Sequence, residues 1–278
     1  MTTIAVPDTG SFASGWQGGS ARLVATLLLF LIALASLAPF LFLVAASFRP
    51  TINGGPGSLW VQLTSQMPVL TYMLNSAMVS LGTAALVLLV SSMAGYGFAK
   101  LGYAGRDTLF VLLIAAISIP MATTILPNYL NFAKIGAINT LWGPILLYAA
   151  GATPFATVLM ASYFRGIPDE IMESAVVDGA SYRQIYSSIM VRMAGPAFVT
   201  VGVLVFLGAW NDLLIGMLFL PDIKMRTISV GVAALQNARA SDANILLTGS
   251  LVSAIPPVIA FMLCQRYLVA GLTAGMIK

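Results

Sequence analysis

The chain has 278 residues, 59% of them hydrophobic and 8% charged, with a net charge of +4 and a pI near 9.3. A soluble domain carries about 25% charged residues and needs them on its surface, so this composition excludes an ordinary soluble globular protein and fits a chain solvated by lipid. With no histidine, one cysteine (Cys264) and thirteen Lys and Arg scattered singly, it also excludes an internal disulfide, histidine or CxxC metal sites, Ser-His-Asp catalysis and a basic nucleic-acid face within this chain.

In chain order, residues 1–22 are Gly- and Ser-rich and are expected to form a disordered cytoplasmic tail. Residues 23–278 then read as one transmembrane domain. Apolar runs predict six transmembrane helices, near 23–48, 73–99, 108–130, 141–164, 196–220 and 244–265. Each has at least the roughly 20 residues a helix needs to cross a bilayer. The first run is far longer than the roughly 7–15-residue core of a cleaved signal peptide, so it reads as an uncleaved span. Six spans put both termini on one side. If that side is the cytoplasm, it holds eight Lys and Arg and the outside five (Arg49, Lys134, Lys224, Arg226 and Arg239). The bias runs in the positive-inside direction.

The longest internal polar segment, 165–195, lies between the fourth and fifth spans. Pro168 suits the first position of a helix, and Asp169 and Glu170 suit its first turn, where the helix dipole favours negative charge. Gly179 suits a left-handed stop. The result is a helix of about eleven residues, roughly 16 Å long, with Ile171, Met172, Ala175 and Val176 on one stripe. A second helix is expected from Ser181, with Gln184 completing a capping box. A lipid-surface helix carries a basic polar face. This one is acidic (Asp169, Glu170, Glu173, Asp178), which favours docking to a protein.

Glu173-Ser-Ala-Val-Val-Asp-Gly179, then nine residues, then Ile189, resembles the EAA motif of ABC-importer permeases. Ser174 stands for the motif's first Ala, Val191 for its Leu and Arg192 for its Pro, with Pro196 nearby. Asn75-Ser-Ala-Met-Val-Ser80, Gly208-Ala-Trp-Asn-Asp212 and the closing Gln265–Lys278 resemble the carbohydrate branch, the MalG-like subunits of maltose-type importers. The resemblance implies an all-α membrane protein of six transmembrane helices, with the type I ABC importer permease fold and a cytoplasmic coupling helix. It also implies the partners: a second, homologous permease subunit, two ATP-binding cassette subunits and an extracytoplasmic solute-binding protein, in a bacterial plasma membrane with both termini cytoplasmic. The chain would not be an enzyme and would bind no cofactor, ATP and Mg sitting on partner subunits. No GxxxxGK[ST] phosphate loop occurs in it. The implied ATPase-coupling residues are Glu173, Ser174, Ala175, Asp178, Gly179 and Ile189.

Trp210, Asn211 and Asp212 are candidates for lining a substrate path or a helix interface. Asp212 is the one charge the pattern places inside a span, and an intramembrane carboxylate costs roughly 2.5–3.5 kcal/mol on insertion scales. Counting from Pro196 it lies about 24 Å along the helix, and pairing or capping competes with lining the path. Gly95 and Gly97 are expected to allow close helix packing. The prolines at 39, 120, 127, 144, 154, 256 and 257 fall within spans, without indicating which of them bend. Segment 221–243 resembles the family's loop toward the binding protein. Two other classes remain: an ion-coupled carrier, disfavoured by the scarcity of intramembrane charge, and a non-transporting membrane scaffold, disfavoured by the docking-type loop.

Overall fold

A computed structural model of the chain describes residues 19–49, 55, 57–236 and 243–273. Residues 1–18 of the expected tail 1–22 and the last residues of the closing motif, 274–278, lie outside the described residues, as does Arg239; residues 19–22 of that tail are the first residues of a helix. Every regular element among those described is helical. That is the outcome lipid imposes, because it offers no partners for backbone N–H and C=O groups and a helix satisfies them within one segment.

Among the described residues, four helices are long and apolar enough to cross a bilayer unaided. They lie within α1 (Gly19–Ser47), α3 (Val69–Lys100), α6 (Trp142–Arg165) and α13 (Ala243–Thr273). Two bent pairs bring the count to six if each is one span. In the first, α4 (Arg106–Ile117) meets α5 (Met121–Lys134) at 94°. Pro120 stands at this break in an extended conformation (ψ 131°). Its ring and missing N–H interrupt the ladder there, although Pro127 is accommodated inside α5. The straight helix expected over 108–130 is therefore two. In the second pair, residues Tyr182–Met193 meet α10 (Gly195–Asn211) at 76°, with Pro196 in the first turn of α10. Pro39, Pro154, Pro256 and Pro257 also lie inside helices.

The connectors contain structure that the apolar runs do not reveal. Helix α2 (Ser58–Gln66) precedes α3. The expected span 196–220 is broken at 212–213: α10 ends at Asn211 and helix α11 (Leu214–Phe219) follows, then a 3-10 turn at Ile223–Met225 and helix α12 (Ile228–Gln236). With Tyr72, Trp210 and Ile245, α2 and α12 bury Leu59, Leu63, Ile228 and Leu235 in a cap at one end of the bundle.

At the centre, α3 packs along α6 and α10. The α3–α6 seam is close because Gly95 has no side chain: a Cβ there would meet Met160 Cβ at 2.7 Å and the Ala161 N at 2.9 Å. Small polar residues line the same helices, Ser80, Thr83, Ser91, Ser92 and Thr157 all being buried. Such residues let membrane helices approach each other. Gly97 faces open space and takes no part in the close approach.

Gly95→Val should therefore force the seam apart, at an overpacking cost of about 1–3 kcal/mol. Thermal unfolding of the detergent-solubilised protein checks this. Gly95→Val should melt well below the parent, and Gly97→Ala, which meets nothing, should match it.

Candidate functional site

The polar segment between α6 and α10 folds as two short helices around a glycine. Helix α7 spans Asp169–Val177, shorter by a residue at each end than the pattern suggests, with Pro168 as its N-cap. It ends in a Schellman arrangement: the Gly179 N–H donates to the Val176 carbonyl at 3.0 Å, and the Ala180 N–H to the Ala175 carbonyl at 2.9 Å. Gly179 takes φ +83°, the left-handed region that closure requires, and a Cβ there would meet nothing within 4 Å. A bulky residue would thus strain the backbone without striking a neighbour.

The chain restarts at Ser181. The Ser181 Oγ accepts from the Gln184 N–H, and the Gln184 side chain accepts from the Ser181 N–H at 2.8 Å, forming a capping box. The helix then runs through α8 (Tyr182–Gln184), a π-helical turn at Ile185–Met190 and α9 (Val191–Met193). A π turn holds one residue more than an α turn and is an inserted, locally costly feature. Here it points both Ile185 and Met190 into the core, where each is fully buried. Ile189 lies within it, half-buried against the same core.

Three side-chain layers hold this segment against the ends of α3 and α6. The first is apolar: Ala175 is buried, and Ile171 and Met172 pack against Tyr96, Phe164 and Ile167. Val176, expected on the same stripe, instead points outward with Val177. The second is hydroxyl bonding. Tyr96 Oη donates to the Tyr182 carbonyl at 3.4 Å, and the Ser92 and Tyr186 hydroxyls lie 2.7 Å apart. The third is electrostatic. Lys100 Nζ donates to the Ile167 carbonyl and to the Asp169 carboxylate. Asp169 is 71% exposed, so this ion pair alone is worth about 0–1 kcal/mol. Burying Ile171 or Met172 is worth about 1.5–3 kcal/mol each when complete. Apolar contact therefore outweighs the ion pair in holding α7 to the bundle.

The outward face of α7 is left without an internal partner. Val177 is 87% exposed, and Glu170, Glu173, Ser174 and Asp178 are exposed beside it. Among the described residues the ion pairs are Lys100–Asp169 and Arg106–Asp107, so Glu173 and Asp178 have no basic partner there. Of the expected coupling residues, Glu173, Ser174, Asp178 and Gly179 lie on this surface, whereas Ala175 and Ile189 face the bundle. Exposed valines beside unpaired carboxylates form a surface suited to a protein partner.

Trp210, Asn211 and Asp212 stand at the opposite end. Trp210 is buried in the cap; its Nε1 donates to the Ser253 carbonyl at 3.0 Å, its ring lies 5.5 Å from that of Phe206, and its carbonyl accepts from Ser229 Oγ. It serves as a helix–helix anchor. Asn211 ends α10 and is exposed. Asp212 is not inside a helix: it adopts an extended ψ of 132° between α10 and α11. Its Oδ1 accepts from Tyr148 Oη and from the Ile215 N–H, each at 2.8 Å. The carboxylate thus takes up a free donor in the first turn of α11, where a negative group is favoured. It also borders a cleft of about 430 Å³ lined by Thr83, Met121, Tyr148, Phe155, Leu204 and Gly208, among others.

Comparison with known proteins adds the lineage. A family model described as "Binding-protein-dependent transport system inner membrane component" matches residues 90–274. The probable ABC transporter permease protein YurM of Bacillus subtilis (strain 168) is 30% identical over 273 residues, covering 95% of this chain and 90% of the relative. The arabinooligosaccharides transport system permease protein AraQ of Halalkalibacterium halodurans is 33% identical over 261 residues, covering 89% and 93%. Among solved structures, a bacterial ABC transporter involved in the import of the acidic polysaccharide alginate superposes with a TM-score of 0.77 at 19% identity. The match covers 90% of this chain and 98% of that one.

The Schellman turn yields a local test. Gly179→Ala forces a Cβ into the left-handed region at about 1–2 kcal/mol. Hydrogen exchange at the amides of residues 179 and 180 should then accelerate by about 5- to 30-fold. Gly179→Asn, which tolerates that region, should change it much less. Unaltered exchange in Gly179→Ala would show that the turn does not depend on the glycine.

Proposed function

The chain belongs to the family of binding-protein-dependent transport system inner membrane components, and from that premise we propose how it is built into its transporter. It is a permease subunit of an ABC importer with the type I permease fold. It pairs with a second, homologous permease, and the solute path runs between the two. Helix α7 is the coupling helix, seated in a cleft of a cytoplasmic ATPase subunit. The observation that carries this is the surface of α7 itself: a nine-residue helix, fixed on its inner side to α3 and α6, that presents Val176, Val177 and unpaired carboxylates outward.

On this reading two ATPase subunits hold the ATP and Mg. Their closure displaces α7 and its partner's equivalent, and the spans follow because α7 is packed into their ends. Glu173 and Asp178 meet the ATPase at the rim of the cleft, and Val177 enters it. The end bearing α7 faces the cytoplasm, as do both termini. The cap built from α2 and α12 faces outward, where a solute-binding protein delivers its cargo. Asp212, Tyr148 and Asn211 lie toward that outer end, where the cleft beside Asp212 contributes a wall of the path.

The cargo is a carbohydrate or a carbohydrate-like solute. Support comes from the relative AraQ, named for arabinooligosaccharide transport, and from the Gly208–Asp212 and Gln265–Lys278 motifs. In a purified assembly of the chain with its second permease, ATPase subunits and binding protein, sugar-loaded binding protein should raise ATP hydrolysis and drive uptake into vesicles. Stimulation by a non-carbohydrate solute alone would overturn the assignment of cargo.

Orientation is tested by labelling whole cells with an impermeant thiol reagent in a Cys264→Ser background. Ile223→Cys, an exposed position in the outer connector, should label. Glu173→Cys, exposed on α7, should label only after the membrane is permeabilised. Labelling of Glu173→Cys in intact cells would reverse the topology.

A further inference from the structure

Helix α3 is bonded at both of its ends to segments far from it in sequence. At one end Lys100 Nζ reaches the Ile167 carbonyl and the Asp169 carboxylate. Its side chain is only 3% exposed. Tyr96 and Ser92, one and two turns earlier, bond to Tyr182 and Tyr186. At the other end Asn75 Nδ2 donates to the carbonyls of Lys224 and Arg226 at 2.9 and 3.0 Å, and Ser76 Oγ accepts the Ile228 N–H at 2.8 Å. Both side chains are buried. From Asn75 to Lys100 the helix runs without a proline, about 38 Å at 1.5 Å per residue. It is one continuous helix from Val69 to Lys100.

The neighbouring helices offer less direct routes. Helix α6 leads straight into α7 but carries Pro154, and α10 is separated from Tyr182–Met193 by the 76° bend. Helix α3 is adjacent in sequence to neither α7 nor the 222–236 segment, so whatever it transmits between them passes through non-covalent contacts, these bonds and the apolar packing beside them. Lys100 is the most specific of the attachments: its side chain is buried at the helix end, with both of its oxygen partners at the entry to α7.

We propose that α3 is the link by which α7 and the 222–236 segment move together, with Lys100 and Asn75 as the positioning residues at its two ends. This rests on the reading of α7 as the ATPase-docking helix and of the opposite end as the binding-protein face. Loaded binding protein would then reach the ATPase through α3, and loss of either clamp would leave an assembled complex that no longer senses it. The clamps carry no part of ATP chemistry, so the effect falls on stimulation.

The test uses the complete importer in proteoliposomes. ATP hydrolysis is measured with and without sugar-loaded binding protein, and subunit co-purification is measured alongside. If the parent shows no stimulation, the coupling reading fails and the link with it. Given stimulation in the parent, Lys100→Met keeps the apolar stem and removes the charge, and Asn75→Leu keeps the volume and removes both donors. Each should still co-purify with its partners yet lose stimulation by roughly fivefold or more, the scale of a site-to-site coupling. Lys100→Arg, which keeps a cation at the clamp, should retain most of it. Parent-level stimulation in an assembled Lys100→Met or Asn75→Leu complex overturns the proposal. Should Lys100→Met fail to assemble, Asn75→Leu decides: lost stimulation in an assembled complex supports the link and parent-level stimulation overturns it.

Discussion

At Gly95 the backbones of α3 and α6 come so near that a methyl group would stand 2.7 Å from Met160 Cβ. Much of the rest follows from that approach. Lipid gives apolar side chains no reason to prefer one another over acyl tails, so packing of small residues must hold membrane helices together. With α3 and α6 in close register, Tyr96 meets Phe164 edge-on at 6.1 Å and lies 5.4 Å from Tyr186. These rings form the floor onto which Ile171, Met172 and Ala175 of α7 settle. A wider seam would leave α7 without a floor.

The resulting device is a short helix with two unlike faces. Its inner face is secured mainly by apolar burial, which is non-directional and forgiving. The polar contacts at Lys100, Tyr96 and Ser92 add less energy but set where along α3 the helix sits. Glycine at 179 and the capping box at 181 let the chain reverse within a few residues, so α7 is joined tightly to the helix that follows it. A force applied to its outer face then has little slack to take up before it reaches the spans.

Much of this was legible in the sequence, and the reasons are local. The spans announce themselves by length and apolarity, Gly179 by its place after a helix with an acidic first turn, and Ser181 with Gln184 by their three-residue spacing. Features that depend on distant partners were not legible. The break at Pro120 sits within one uncharged run from Thr108 to Ala133, so a pattern of charge and apolarity passes over it. Asp212 looked like a charge within a helix because its partner, Tyr148, lies 64 residues away. Lys100 counted only as a topogenic charge, since nothing near it in sequence points to Ile167 or Asp169. In the sequence Trp210 is a candidate for either the path or a helix interface; its bond to Ser253 shows it anchoring α10 to α13. Helices α2 and α12 have nine residues each, too few to stand out as spans.

The central claim is that α7 carries force from an ATPase to the spans through its outward face. Val177, the most exposed large apolar residue there, tests it most directly. With Cys264→Ser and Val177→Cys in the assembled importer, a short thiol cross-linker should join position 177 to the ATPase subunit, and ATP binding should change the yield. A position 177 that stays freely reactive toward a bulky thiol reagent in the intact, transporting complex, and never cross-links to the ATPase subunit, would contradict the account.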